Sequence, residues 1–191
     1  NRPIMKVLIA TEKPFAKSAV EGIESILKEA GYEVVRLEKY ADKSELLAAV
    51  ADVDALIIRS DKVTAEVIEA AKQLKIVVRA GAGFDNVDLA AATAHNVVVM
   101  NTPGQNSNAV AELAIAMMIF MSRNCFTPGT GGEIKGKTLA IHAYGNVGRL
   151  VGCKGKALGM NVIAYQRTYK PEYECDTMHF VTLDELLEKS D

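Results

Sequence analysis

Lys135-Gly-Lys-Thr-Leu-Ala-Ile-His-Ala-Tyr-Gly-Asn-Val-Gly-Arg149 runs from an apolar strand into a glycine turn and on into a helix. That order is the one used by a dinucleotide-binding turn, in which each glycine of G-x-G-x-x-G has its own task. The first makes the tight turn, the second lets backbone approach a pyrophosphate, and the third lets the helix pack closely on its strand. Ala143 stands in the first place, while Gly145 and Gly148 fill the other two. An alanine is tolerated there only where the backbone does not need a positive φ, so the pattern predicts an ordinary φ at Ala143. An acid roughly 20 residues on normally binds the ribose hydroxyls. Here Gln166 stands 18 positions after Gly148, followed by Arg167 and Thr168.

Outward from this turn, strand and helix patterns alternate. Met5–Ala10 is a short apolar run, and residues 16–30 carry a helical pattern closed by Gly31. Glu33–Leu37, Asp54–Ile58, Ile76–Ala80 and Val97–Met100 repeat the strand signal, with helical segments near 43–51, 64–74 and 88–94 between them. This alternation predicts an α/β fold with parallel sheets covered on both faces and ligand loops at the carboxyl ends of the strands. Residues 1–100 form one doubly wound unit and residues 101–191 a second.

Within the second unit, Asn101-Thr-Pro-Gly-Gln-Asn-Ser107 is a turn-rich break, and Asn108–Ser122 is a helix apolar nearly all round. Such a helix suits a place between two domains or two subunits, with its Met and Phe side chains as core. Residues 125–132 form another loop before the glycine turn. Residues 148–158 then read as a helix, Asn161–Tyr165 as a strand and 183–187 as a last helix. A dinucleotide fold needs about six parallel strands, and two are legible here. The reading therefore expects a chain cut off in mid-domain.

With 22 basic and 24 acidic residues the net charge is −2, which gives no overall bias toward nucleic acid or an anionic membrane. No apolar run reaches the roughly 18 residues of a spanning helix, and residues 1–5 lack a signal-peptide pattern, so a cytoplasmic location is the default. Cys125, Cys153 and Cys175 are odd in number and widely spaced, which reads as reduced thiols. They and His95, His142 and His179 lack the spacing of a metal site. Of the histidines, His142 at the end of the strand before the glycine turn is the one near a cofactor position.

Two strand ends carry further candidates. Arg59 and Ser60 follow one strand, and Gly81, Ala82 and Gly83 follow another, so they should meet at one edge of the first sheet. Glycines free backbone N–H groups to converge on a carboxylate or phosphate, and an arginine adds charge and bidentate geometry. The alternative is that the glycines only turn the chain and Arg59 is solvated. Asn106 and Ser107 stand where a helix cap is expected; alternatively, Asn106 and the first helical N–H groups line a crevice for an anion.

Arg59-Ser60, Arg79-Ala-Gly-Ala-Gly-Phe-Asp-Asn-Val-Asp88, Asn101–Leu113 and Gly136–Arg149 together resemble the D-isomer-specific 2-hydroxyacid dehydrogenases, and the likeness covers essentially the whole chain in order. The resemblance implies a flavodoxin-like substrate domain, a Rossmann domain incomplete in this chain, and hydride transfer between NAD and C2 of a D-2-hydroxy acid in an interdomain cleft. 3-Phosphoglycerate leads as substrate, with hydroxypyruvate or glyoxylate as the in-class alternative and a non-catalytic NAD(H)-sensing module as the alternative of another class. Carried over, Arg59, Ser60, the Gly81-Ala82-Gly83 backbone and Asn106 face the substrate. Tyr144, Gly145, Asn146, Val147, Gly148 and Arg149 meet the pyrophosphate. The family's catalytic arginine, glutamate and histidine are expected beyond Asp191, so no catalytic residue is assigned, and a homodimer built around the second unit and the long helix is implied. Gln166 replaces the family's aspartate. With it, Arg167 and Thr168 as partners of a 2′-phosphate keep NADP open beside NAD.

Overall fold

The computed structural model describes residues 4–191. They fold as two compact units, one ending at Pro103 and the other beginning at Gly104, inside the turn-rich break and three residues past the boundary expected from sequence.

The first unit alternates β1 (Lys6–Thr11), α1 (Lys17–Glu29), β2 (Glu33–Glu38), α2 (Lys43–Ala49), β3 (Ala55–Ile58), α3 (Ala65–Ala70), β4 (Ile76–Arg79), α4 (Leu89–Ala94) and β5 (Val98–Met100). All neighbouring strands are parallel, in the order β2-β1-β3-β4-β5. Central β1 is buried on both faces, which is why it reads as a continuous apolar run rather than an alternation. Leu8, Leu56, Ile58, Val63, Val67 and Val77 are fully buried in one core. Each such side chain contributes about 1.5–3 kcal/mol relative to exposure. At edge strand β5, by contrast, Val98 and Met100 stay exposed. α2 starts in a capping box, with the Asp42 carboxylate on the Ser44 N–H at 2.7 Å and Glu45 reaching back to the Asp42 N–H.

The second unit begins with α5 (Ser107–Ser122), followed by a 3₁₀ turn at Asn124–Phe126, β6 (Thr138–His142), α6 (Asn146–Ala157), β7 (Asn161–Tyr165), β8 (Met178–Phe180) and α7 (Leu183–Lys189). β6, β7 and β8 make a parallel sheet in chain order. Thus three strands are present where two were expected. β8 is three residues long and follows a 3₁₀ turn at Pro171–Tyr173, too short for a period to declare itself. α5 packs on α6 with Ala111 and Ile115 buried, while Leu113, Met117 and Met121 are 61, 58 and 67% exposed. Within this chain it is therefore covered on one side only. No helix among the described residues is long and apolar enough to cross a membrane.

Candidate functional site

At the carboxyl edge of the first sheet, β3 and β4 run side by side with Ile58 in register with Arg79. Arg59 therefore emerges beside the end of β4, and both its side chain and that of Ser60 are exposed. The Arg79 guanidinium folds back so that its Nε donates to the Arg59 carbonyl at 2.8 Å. It lies where a Cβ on residue 81 would be, 1.8 Å from Nη1, so glycine at 81 leaves room for the arginine. Sequence reasoning quoted Arg79 only as part of a motif; its position as the last residue of a strand, like Arg59 just past the neighbouring one, was the available signal.

The loop after β4 is held by the Asn101 amide, which donates to the Ala82 carbonyl at 2.7 Å, and by the Thr102 N–H on the Gly81 carbonyl at 2.9 Å. The Gly81 N–H is taken by the Arg79 carbonyl at 2.9 Å. That narrows the expected anion-binding backbone to Ala82 and Gly83, whose N–H groups have no hydrogen-bond partner among the described residues. Ser60, Lys62, Thr64 and Asn86, together with the acidic Asp85 and Asp88, line a hollow of about 580 Å³ at this edge. The Arg79 guanidinium, the exposed Arg59 and the free N–H groups of Ala82 and Gly83 lie close in the chain to the ends of β3 and β4 and suit an anion there; Asp85 and Asp88 at the hollow limit how much negative charge it accepts.

In the second unit, β6 ends at His142 and α6 starts at Asn146, with Gly145 at its N-cap. Ala143 has φ +78°. The expectation of an ordinary φ is thus corrected: the turn needs the left-handed region, and the alanine occupies it at a steric cost. Gly148 has the close-packing task, since a Cβ there would meet the Ala143 carbonyl oxygen at 2.4 Å and Ile141 Cγ2 at 3.0 Å. Nothing lies within 4 Å of a Cβ placed on Gly145, so this face is open to a ligand. The first N–H groups of a twelve-residue helix look out beside it.

Tyr144 does not present its ring to that opening. It is 6% exposed, packed edge-on against Phe180 at 5.9 Å and near Tyr173 at 6.4 Å. Burial pushes its hydroxyl pKa up, with smaller contributions from Cys153 and Cys175. Only its backbone remains for a ligand. Arg149 is exposed, its guanidinium 4.3 Å from the centre of the Tyr173 ring. Asn146 is exposed and Val147 half-buried. Asn106, exposed at the N-cap of α5, makes no side-chain cap hydrogen bond, and Ser107 is buried, so capping does not account for Asn106.

A pocket of about 470 Å³ is lined by His142, Ala143, Tyr165, Gln166, Arg167 and Thr168. Gln166 Nε2 donates to the Thr168 carbonyl at 2.9 Å, and its Oε1 is buried without a partner. An unmet acceptor costs about 1–3 kcal/mol, which a hydroxyl donor brought by a ligand would recover. The open Gly145, the close-packed Gly148, the helix N-terminus and this unmet acceptor together fit a dinucleotide. Among the described residues no three His, Cys, Asp or Glu side chains gather as metal ligands.

The family model described as "D-isomer specific 2-hydroxyacid dehydrogenase, catalytic domain" matches residues 10–187. The NAD+-bound 3-phosphoglycerate dehydrogenase of Entamoeba histolytica is 45% identical with a TM-score of 0.87, over 98% of this chain and 60% of that one. Hydroxypyruvate reductase of Thermotoga maritima is 38% identical over 80% of this chain and 54% of its own length. D-3-phosphoglycerate dehydrogenase of Archaeoglobus fulgidus is 38% identical over 98% of this chain and 37% of its own length. The chain thus spans about half or less of the length of these curated relatives.

Proposed function

Because this chain belongs to the D-isomer-specific 2-hydroxyacid dehydrogenases, we propose that the protein oxidises 3-phosphoglycerate to 3-phosphohydroxypyruvate with NAD, the first step of serine biosynthesis. The observation that carries this reading is the juxtaposition of Arg59 and Arg79 at the end of two neighbouring strands, joined by the 2.8 Å bond from Arg79 Nε to the Arg59 carbonyl. A substrate with a carboxylate and a phosphate uses two guanidinium groups; glyoxylate uses one. Arg59, Ser60 and the Ala82 and Gly83 N–H groups are assigned to the substrate anion, and Asn106 of the second unit is kept as a separate substrate-facing candidate.

NAD, when bound, supplies the hydride acceptor. In this reading the N–H groups of Gly145 to Gly148 hold its pyrophosphate, Arg149 adds positive charge, and Gln166 faces the adenosine ribose. The Gln166 acceptor oxygen suits ribose hydroxyls, while its NH2 already donates to the Thr168 carbonyl, so NAD is favoured over NADP, with Arg167 lining the same wall. The exposed apolar stripe of α5, Leu113, Met117 and Met121, is assigned to a second copy of the chain. The three free thiols suit the reducing cytoplasm.

Hydroxypyruvate reduction is the second reading, favoured by the 38% identity to the Thermotoga maritima enzyme. The deciding measurement is kcat/KM of the full-length protein for 3-phosphohydroxypyruvate, hydroxypyruvate and glyoxylate, each with NADH and NADPH. The phosphorylated substrate with NADH is expected to lead by about tenfold or more, the worth of one charge-assisted contact. A lead by hydroxypyruvate or glyoxylate overturns the substrate assignment, a lead by NADPH overturns the cofactor assignment, and no turnover with bound NADH supports a sensing module instead.

A further inference from the structure

Asp61 is a carboxylate only 3% exposed. Its Oδ1 accepts from the Glu12 N–H at 2.8 Å and from the Tyr40 hydroxyl at 2.6 Å, and its Oδ2 from the Arg59 N–H at a longer 3.4 Å. Glu12 follows β1, Tyr40 follows β2 and Arg59 follows β3. One side chain therefore ties three strand ends together. Its own carbonyl accepts from Asn86 Nδ2 at 2.7 Å, which adds the loop beyond β4.

In a sheet of order 2-1-3-4-5 the crevice between β1 and β3 is the ordinary place for a ligand. Here the bond from Glu12 to Asp61 crosses it. Immediately beside it, the Arg59 carbonyl is held from the β4 side by Arg79 at 2.8 Å and by Asn86 at 3.4 Å. The segment Arg59-Ser60-Asp61 is thus pinned from both sides, leaving the Arg59 and Ser60 side chains exposed between.

A buried carboxylate is costly, and an apolar group of similar size in such a place is commonly as stable or more so. What it returns is geometry. Tyr40 is itself 7% exposed, and burial, then its bond to Asp61, push its hydroxyl pKa up, so the phenol stays a hydrogen-bond donor. We propose that Asp61 and Tyr40 are positioning residues that close the β1/β3 crevice and aim Arg59 and Ser60 at an anionic substrate on the β3/β4 side. The inference deepens, and rests on, the assignment of Arg59 and Ser60 to the substrate.

The test uses the full-length enzyme and the variants Tyr40→Phe, Asp61→Asn, Arg59→Ala and the double variant Arg59→Ala/Tyr40→Phe. KM for the 2-oxo acid, kcat, NADH dissociation by fluorescence and the thermal midpoint are measured for each. KM rises about threefold in Tyr40→Phe, where the carboxylate loses one of its donors and keeps the others, and about tenfold in Asp61→Asn, where the charge that holds all of them is gone, with kcat and NADH affinity unchanged. In the Arg59→Ala background Tyr40→Phe adds clearly less than it does alone, since only Ser60 is left for it to position. An unchanged KM with a lowered thermal midpoint makes the clamp merely structural and overturns the proposal, as does a full additive effect in the double variant. Should Asp61→Asn not fold, Tyr40→Phe, which removes a single hydroxyl, decides alone. If Arg59→Ala leaves KM untouched, the substrate assignment itself fails and takes the inference with it. If Arg59→Ala raises KM and the clamp variants do not, only the inference falls.

Discussion

At the turn between β6 and α6 a single backbone angle carries two consequences. Ala143 sits at φ +78°, a region that costs a non-glycine residue about 1 kcal/mol. Ala143→Gly is accordingly expected to raise stability by about 1 kcal/mol, or about 2–4 °C in thermal midpoint, with NADH binding retained. A lower midpoint measured by calorimetry would show the angle to be unstrained. The residues that do the close work here were legible as letters: Gly148 cannot become alanine without meeting the Ala143 carbonyl at 2.4 Å. The sign of φ at residue 143 was not legible, because it depends on how β6 enters the helix rather than on residue type. Tyr144 illustrates the same limit, since its place in the motif said nothing of the Phe180 and Tyr173 rings that bury it.

Among the elements, α5 and α6 show what periodicity conveys and what it hides. Gly148, Gly152 and Gly155 fall on one face of α6, where added Cβ atoms would meet Ala143, Tyr144 and Leu139 at 2.4, 2.9 and 2.5 Å. The seam lets α6 lie close on β6, a spacing readable from the sequence once the partner strand is known. α5 is so uniformly apolar that no face could be chosen from its sequence; the fold chose Ala111 and Ile115 for the inside and left Leu113, Met117 and Met121 outside. If the open face of α5 takes the second copy proposed for it, replacing Leu113 or Met117 by glutamate is expected to give a monomer where the parent protein is a dimer, read by light scattering after gel filtration, with the circular dichroism spectrum unchanged. A variant that stays dimeric would move the interface elsewhere. β8 escaped the sequence reading altogether, since three residues cannot establish a period of two.

Over the whole molecule, acidic groups held by fixed partners contribute modestly to the response to acid. The Arg36 guanidinium, with Lys28 adding to it, lowers the Glu24 carboxyl from 4.5 to about 2; Lys75 and the Lys6 N–H likewise lower Asp54. A carboxyl depressed in the folded state stabilises above its unfolded pKa, and that contribution is lost as pH falls through the folded value. The thermal midpoint should therefore hold above about pH 4.5 and drop toward pH 2, with Glu24→Gln flattening that acid limb. An equally steep limb in the variant would place the linkage elsewhere.

The alternation of apolar runs with helical segments was enough to determine an α/β chain of parallel sheets, because burial on both faces dictates composition strand by strand. Arg59, Gly81 and the Gly145-to-Gly148 turn were visible as letters at strand ends. Tertiary structure alone decided that Arg79 folds onto Arg59, that Asp61 closes the crevice beside them, and which side of α5 stays open. Those outcomes depend on which strand lies next to which and in what register. Pairing of that kind joins residues tens of positions apart, and no local pattern encodes it.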